Sequence, residues 1–389
     1  MKFATNASKL EGSATLQFTA KAAAMKAEGR DIVSLTAGQP DFPTPHAAIE
    51  AAEQAMADGK TLYTPSMGIA ELRSAVAERW SRFHGLDFKP SNVMVSCGAK
   101  HSIVNMLESV LEPGEKVLLP KPYWVSYPQM VRRLGGEPLF PASGRMLLTG
   151  DDVREAYSRG AKGMIFNSPC NPSGLVSTME DIKDIAAAVG ETGMWVISDD
   201  IYEDLYYGQG KVPHILDADP GLRDQVALIT GVSKTYAMTG WRIGFAIAAQ
   251  EWTTIAGRIQ AHSTSNPCSI AQYAALAVVQ GDAEAERKQM YSAFRRRRDL
   301  ICDLLSKVNG VEFQRPEGAF YIYPKILTDE PFNSERFSLK LLEEEGLGTI
   351  PGSAFGTEGY IRLSFAASDD DIGEAVKRLD GFLERGDFA

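Results

Sequence analysis

Val226-Ala227-Leu228-Ile229-Thr230-Gly231-Val232-Ser233-Lys234-Thr235-Tyr236-Ala237-Met238-Thr239-Gly240-Trp241-Arg242-Ile243-Gly244-Phe245-Ala246-Ile247-Ala248 contains two apolar runs, 226–230 and 243–248, each the length of a buried strand. Between them lies a polar connector that begins with Ser233 and Lys234 just past the first run. A lysine at the lip of a buried strand can lose its proton through desolvation or nearby positive charge, and a neutral amine is the form that adds to an aldehyde. A solvated surface lysine would look the same in isolation, so the reading depends on what the rest of the chain brings beside it.

Working outward, short apolar runs recur at 93–96, 116–119, 163–166 and 194–198, separated in several places by amphipathic stretches. In 180–189, for example, Ile182, Ile185, Ala186 and Val189 share one helical face. This alternation predicts an α/β fold with a mostly parallel sheet flanked by helices. Polar residues follow the runs at Cys97-Gly98-Ala99-Lys100, 167–171, 199–202 and Ser233-Lys234. Ligands of open α/β sheets bind beyond the carboxyl ends of the strands, so the four segments are expected to line one crevice. Gly98-Ala99-Lys100 opens a helix and offers free N–H groups to a phosphate, although an ordinary tight turn has the same composition. Asp199 closes an apolar run and needs a partner for its charge: a protonated heterocyclic nitrogen, a helix cap or a structural arginine would each serve.

Near residue 280 the rhythm changes. A long charged helix over 282–308 leads to an alternating strand over 318–323, a helix over 334–345, a strand over 360–364 and a closing helix from Asp369. The predicted organisation is an N-terminal arm and part of a small domain over 1–45, a large domain over 46–285 that would hold the crevice, and a smaller α+β C-terminal domain over 286–389. The 389-residue length suits one large core with a smaller companion. Hydrophobic residues at 44% against 23% charged predict a folded globular chain. The formal charge of -10 gives no electrostatic reason to bind nucleic acid or an anionic membrane, and Arg295-Arg296-Arg297-Arg298 reads as a solvated helix face. Cys97, Cys170, Cys268 and Cys302 lack the spacing of a metal or redox motif, so no metal is expected. No run approaches the roughly 20 apolar residues of a membrane span, which makes the cytoplasm the expected location.

From about Ala14 onward the chain resembles the class I aminotransferases of pyridoxal-phosphate fold type I, and more closely their prokaryotic aspartate aminotransferase branch. The motifs that carry the resemblance occur in order: Ser34-Leu35-Thr36-Ala37-Gly38-Gln39-Pro40-Asp41-Phe42, Tyr63-Thr64-Pro65, Pro122-Tyr123-Trp124-Val125-Ser126-Tyr127, Asn171-Pro172-Ser173-Gly174, Asp199 with Tyr202, and Ser233-Lys234 with Gly240-Trp241-Arg242. The resemblance implies pyridoxal 5′-phosphate held as a Schiff base on Lys234, which would also shuttle the proton at the substrate Cα. Asp199 would pair with the pyridinium nitrogen, Tyr202 and Asn171 with the ring hydroxyl oxygen, and Trp124 with the ring face. The phosphate would rest on Gly98, Ala99, Lys100, Ser233 and Arg242, with Tyr63 arriving from a neighbouring subunit of a homodimer that shares its sites. Arg362, helped by the N–H of Gly38 and by Trp124 and Asn171, would take the substrate α-carboxylate.

The implied activity is transamination between an amino acid (aspartate, or a broader set that includes aromatic ones) and 2-oxoglutarate. The same cofactor would also serve a β-lyase, and a non-enzymatic sensing module on this fold would need a DNA-reading domain for which the matched chain leaves no room. Three positions depart from the pattern. Gly231 stands where many relatives carry a phosphate-binding serine; the slot for an arginine that would reach a distal carboxylate from the neighbouring subunit falls on Ala261, and the slot for a lysine on the helix after the phosphate loop falls on Glu108.

Overall fold

The computed structural model describes residues 1, 3, 5–8, 10–328 and 332–386; the last three residues of the expected C-terminal segment lie outside that description, as do 329–331. Seven strands form the central sheet: β1 (Val93–Ser96), β2 (Lys116–Leu118), β3 (Glu137–Leu139), β4 (Ala161–Phe166), β5 (Trp195–Asp199), β6 (Val226–Gly231) and β7 (Gly244–Ile247). They lie in the order β1-β7-β6-β5-β4-β2-β3, and every neighbouring pair is parallel except the two that include β7. Six of the seven coincide with the apolar runs to within about two residues. β3 was not expected, because Glu137-Pro138-Leu139 has no apolar run; its place at the sheet edge is where a proline can be accommodated.

Both faces of the sheet are covered, which is why its strands read as continuous apolar runs rather than alternating ones. Val95, Met164, Val196, Leu228 and Phe245 pack on one side against Leu72, Val76, Ile182, Ile185 and Ala275. Their neighbours Met94, Ile165, Ile197, Ala227 and Ala246 face the other side, against Ile103, Leu107, Val131 and Trp252. The helix Met179–Thr192 matches the expected one: the hydroxyl of Thr178 and the carboxylate of Asp181 cap its start reciprocally, and Gly193 at φ 68° ends it.

Glycines set how closely the site-forming pieces approach. A Cβ on Gly244 of β7 would stand 2.1 Å from the backbone N of Ala99, so this glycine lets the helix α2 (Ala99–Glu108) begin directly against the sheet. A Cβ on Gly231 would stand 2.9 Å from the carbonyl oxygen of Ile243, and the close pairing of β6 with β7 accounts for a glycine where a serine was expected.

Beyond the sheet a separate core forms around Leu35, Phe294, Ile301, Phe320, Phe337, Leu363, Ile372 and Phe382. It joins the N-terminal Val33–Ser34, which pairs in parallel with Leu347–Gly348, to the C-terminal elements. The long helix Glu284–Leu305 and the closing helix Asp369–Arg385 flank a three-stranded antiparallel sheet with Ile361–Ser364 at its centre. The strand expected over 318–323 is reduced to Tyr321–Ile322, because Ala319 takes a left-handed φ of 55° and turns the chain toward the central sheet. The four-arginine run also differs from expectation. Arg295 and Arg296 are exposed, but Arg297 and Arg298 are buried. Arg297 Nη1 donates to Asp41 at 2.8 Å and Arg298 Nη1 to the carbonyl of Pro316 at 2.9 Å, so half of the run fastens the N-terminal loop and the 310–320 segment to the helix. Among the described residues no helix is long and apolar enough to cross a membrane.

Because backbone blocks the space beside Gly244, Gly244→Ala is expected to lower the urea unfolding midpoint by the equivalent of about 1–3 kcal/mol. Gly240→Ala, with nothing within 4 Å of the added carbon, should leave it in place. Equal midpoints for the two variants would contradict the packing described.

Candidate active site

Outside the carboxyl ends of β1, β4, β5 and β6 lies a cavity of about 540 Å³. Each strand delivers the polar residues that follow it: Ala99 and Lys100 after β1, Asn167 and Asn171 after β4, Asp199 and Tyr202 at the end of β5, and Ser233 and Lys234 after β6. Trp124, Arg242, Gly38 and Arg362 complete the expected set lining the cavity. Gly98 lies just behind it. Tyr63 does not line it in the single chain and is 90% exposed on the surface.

The charged groups here are held out of water. Burial pushes the Asp199 carboxyl up to about 7, opposed by the hydroxyl of Tyr127, which donates to Oδ2 at 2.6 Å, and reinforced by the neighbouring Asp200. Lys234 moves the other way: burial first, then the Arg242 and Arg362 guanidinium groups, bring its ammonium down to about 8. Its Nζ donates to the carbonyl of Gly38 at 2.5 Å, so the amine points across the cavity toward the N-terminal loop. A carboxyl that tends to stay protonated thus shares one cavity with an amine that tends to become neutral.

Arg362 is 1% exposed and sits on the central strand of the small antiparallel sheet. Its Nη1 donates to Asn171 Oδ1 at 3.0 Å and its Nη2 to the carbonyl of Thr36 at 2.9 Å, while the guanidinium lies 4.4 Å from the ring centre of Tyr321. Nε has no acceptor, and no carboxylate pairs with the group among the described residues. A buried guanidinium whose nearest partners are all neutral calls for an anion from outside.

The start of α2 forms a second anion cradle. Ala99 and Lys100 are its first two residues, so their N–H groups have no acceptor within the helix. Arg242 leans over them in a left-handed conformation, φ 56°, with Nη1 donating to the carbonyl of Thr239 at 2.9 Å. A Cβ on Gly98 would lie 2.4 Å from Arg242 Nη2, so only glycine leaves room for the guanidinium.

Several lining residues were not expected as site residues. Tyr127 closes one of the quoted motifs, and its spacing within that motif was the only available signal. Asn167, which was expected only as part of the 167–171 segment and given no role, donates to the carbonyl of Asp199 at 2.7 Å and accepts from the N–H of Asn171 at 2.9 Å, tying two site segments together. Tyr321, whose hydroxyl lies 3.1 Å from that of Tyr202, was read only as part of a strand. Ser13, Thr15, Leu16 and Thr19, from the start of the helix α1 (Ala14–Ala27), form one wall, for which nothing local in the sequence gave a sign.

Glu108 ends α2 eight residues from Lys100, roughly 12 Å along the helix, and does not line the cavity; the Ala261 slot was expected to serve a neighbouring subunit's site, which a single chain does not contain. Besides Lys234, Arg242 and Arg362, the cavity is lined by Lys100, whose Nζ stands 4.7 Å from the ring centre of Trp124.

Strand-end polar groups around a buried amine and two anion cradles define an α/β enzyme working on small anionic molecules that carry an amino or carbonyl carbon. Comparison with known proteins narrows this. The sequence profile described as aminotransferase class I and II matches residues 30–379. The aspartate aminotransferase of Geobacillus stearothermophilus is 39% identical over 391 residues, 99% of each chain. The aspartate/prephenate aminotransferase of Cereibacter sphaeroides is 40% identical over 393 residues, 96% of each. The structure of Thermus thermophilus aspartate aminotransferase with maleate superposes with a TM-score of 0.92 at 35% identity, covering 98% of this chain and 99% of that one. The chain belongs to the class I and II aminotransferases.

The electrostatics give a pH signature for the protein without cofactor. Asp199 binds its proton more tightly folded than unfolded, so its contribution to stability falls as pH rises from about 3.8 to about 7. An amide at this position cannot ionise. The stability of Asp199→Asn relative to the parent should therefore grow between about pH 5 and about pH 8 in parallel urea titrations. A difference that stays flat over that range would show that the carboxyl is not perturbed as described.

Proposed function

We propose that this chain transfers the α-amino group of aspartate, or of a broader set of amino acids that includes aromatic ones, to 2-oxoglutarate. The observation that carries the reading is Arg362: a planar donor fork, buried among neutral partners in the same cavity as the Lys234 amine, suits an α-carboxylate that sets Cα beside that amine.

The residues present fit pyridoxal 5′-phosphate on three counts. The free amides of Ala99 and Lys100, with Ser233 and Arg242, suit its phosphate. Asp199, raised by burial, with only the Tyr127 hydroxyl and the Ile201 N–H donating to it, suits a protonated ring nitrogen that would return it to the charged state. Lys234, lowered to about 8, suits its aldehyde. When bound, the cofactor supplies a carbonyl carbon for the amino group and a ring that withdraws electrons from the substrate Cα.

The chain's own residues do the rest. Tyr202 and Asn171 address the ring hydroxyl oxygen, Trp124 covers the ring face, and Gly38 adds its N–H to the grip of Arg362 on the α-carboxylate. Lys234, whose amine lines the same cavity as Arg362, would take the proton from the substrate Cα and hold it for return. Tyr63, surface-exposed here, reaches the phosphate of a neighbouring subunit, so the working form is a homodimer with shared sites, in the cytoplasm. Residues 46–285 hold the cofactor in this reading, and the small domain formed by 1–45 and 286–389 carries Gly38 and Arg362.

For the distal end of the substrate, Lys100 provides a second cation in the cavity that contains Arg362, which favours a dicarboxylic amino acid. Two similar proteins bear names that agree, one an aspartate aminotransferase and one an aspartate/prephenate aminotransferase. Leu16, Val125 and Trp124 give the same cavity an apolar side for an aromatic donor.

Aspartate with 2-oxoglutarate should yield oxaloacetate and glutamate in equal amounts. Pyruvate and ammonia released from a β-substituted amino acid without any oxo acid, and no transamination, would replace this reading with β-elimination. Lys100→Ala should raise KM for aspartate about tenfold, the loss of one charge-assisted hydrogen bond, and change KM for phenylalanine by less than about twofold. Equal effects on both donors would remove Lys100 from distal recognition.

A further inference from the structure

Tyr321 touches two of the groups assigned above yet has no part in the reading so far. It is fully buried. Its hydroxyl lies 3.1 Å from the Tyr202 hydroxyl, and its ring carries the Arg362 guanidinium at 4.4 Å. The two tyrosine rings meet edge to face, 5.9 Å apart at 82°. Pairing of Tyr321 with Ser364 in the small antiparallel sheet and the left-handed turn at Ala319 fix where the ring stands.

The two hydroxyls hold one proton each, and either could donate to the other. Tyr202 borders the cavity with its phenol, and if its proton is to reach an acceptor there, it must receive rather than give the bond to Tyr321. Among the described residues the Tyr321 hydroxyl has no other acceptor, so donating to Tyr202 uses its proton and leaves that of Tyr202 for the cavity.

We propose that Tyr321 is a positioning residue: its hydroxyl donates to Tyr202 and thereby directs the Tyr202 proton into the cavity, onto the ring oxygen of the cofactor. This rests on the assignment of Tyr202 as a cofactor contact. Without that donor the Tyr202 hydroxyl is less polarised and a weaker donor, its hold on the ionised ring oxygen weakens, and the protonated form of the bound cofactor gains. The ring of Tyr321 acts separately, as the platform under Arg362, and a phenylalanine keeps it.

The test is a pH titration of the visible absorbance of the pyridoxal-phosphate-loaded protein, parent beside Tyr321→Phe. The variant's midpoint should lie higher by a factor of about three to ten in proton affinity, the range of one neutral hydrogen bond. Its kcat with aspartate should fall by a similar factor, while KM stays within about twofold because the Arg362 platform survives. In a Tyr202→Phe background the same substitution should add no further shift. An unmoved or lowered midpoint in Tyr321→Phe, or a shift that adds in full to that of Tyr202→Phe, overturns the proposal. A parent protein with no titrating band would instead refute the cofactor reading itself, whereas a parent that titrates beside an identical variant refutes only the role of Tyr321.

Discussion

Charge held out of water is the constraint around which this molecule is arranged. Asp199, Lys234 and Arg362 occupy one cavity, and burial displaces each from its ordinary protonation behaviour, the carboxyl upward and the two bases downward. Among the described residues none has an oppositely charged side chain bonded to it. Neutral donors and acceptors take that place: the Tyr127 hydroxyl for Asp199, the Gly38 carbonyl for Lys234, and Asn171 with the Thr36 carbonyl for Arg362. These contacts orient the groups without neutralising them, so the site is electrostatically incomplete until small charged molecules enter it.

The fold makes that incompleteness tolerable. Parallel strands bring β1, β4, β5 and β6 to the same edge, so four consecutive turns open into one space while the apolar mass of the sheet carries the stability. Glycines tighten the assembly where backbone meets backbone. Gly244 admits the start of α2 to the sheet and Gly98 admits the Arg242 guanidinium, so the helix start and the arginine over it depend on two missing side chains as much as on the donors themselves. The second core, built from both ends of the chain, includes Tyr321 and the strand that carries Arg362. Anything that moves this core moves the Arg362 guanidinium relative to the Lys234 amine.

What was legible in the sequence was local. Apolar runs flanked by turn residues gave six of the seven strands, and the residue just past each run gave Asp199, Lys234 and the Gly98-Ala99-Lys100 turn. Arg362 was different: a lone arginine on a short strand carries no local sign of its task, and only the order of motifs along the whole chain pointed to it. Burial of Arg297 was illegible because its partner Asp41 lies 256 residues away, and a run of four arginines looks solvated until the fold supplies that partner. The wall formed by Ser13, Thr15 and Thr19 was hidden for the same reason. Lys100 was read as a phosphate-loop residue, and the direction of its side chain over Trp124 depends on tertiary placement that a sequence motif does not carry.

The central claim is that one amine out of all the lysines is prepared for carbonyl chemistry by its surroundings. Treat the protein with pyridoxal phosphate at near-neutral pH, reduce with borohydride to fix any carbon–nitrogen linkage, digest, and locate the added mass by peptide sequencing. The account predicts a single modified position, Lys234, at close to one equivalent per chain. Modification spread over surface lysines with Lys234 unlabelled would contradict it.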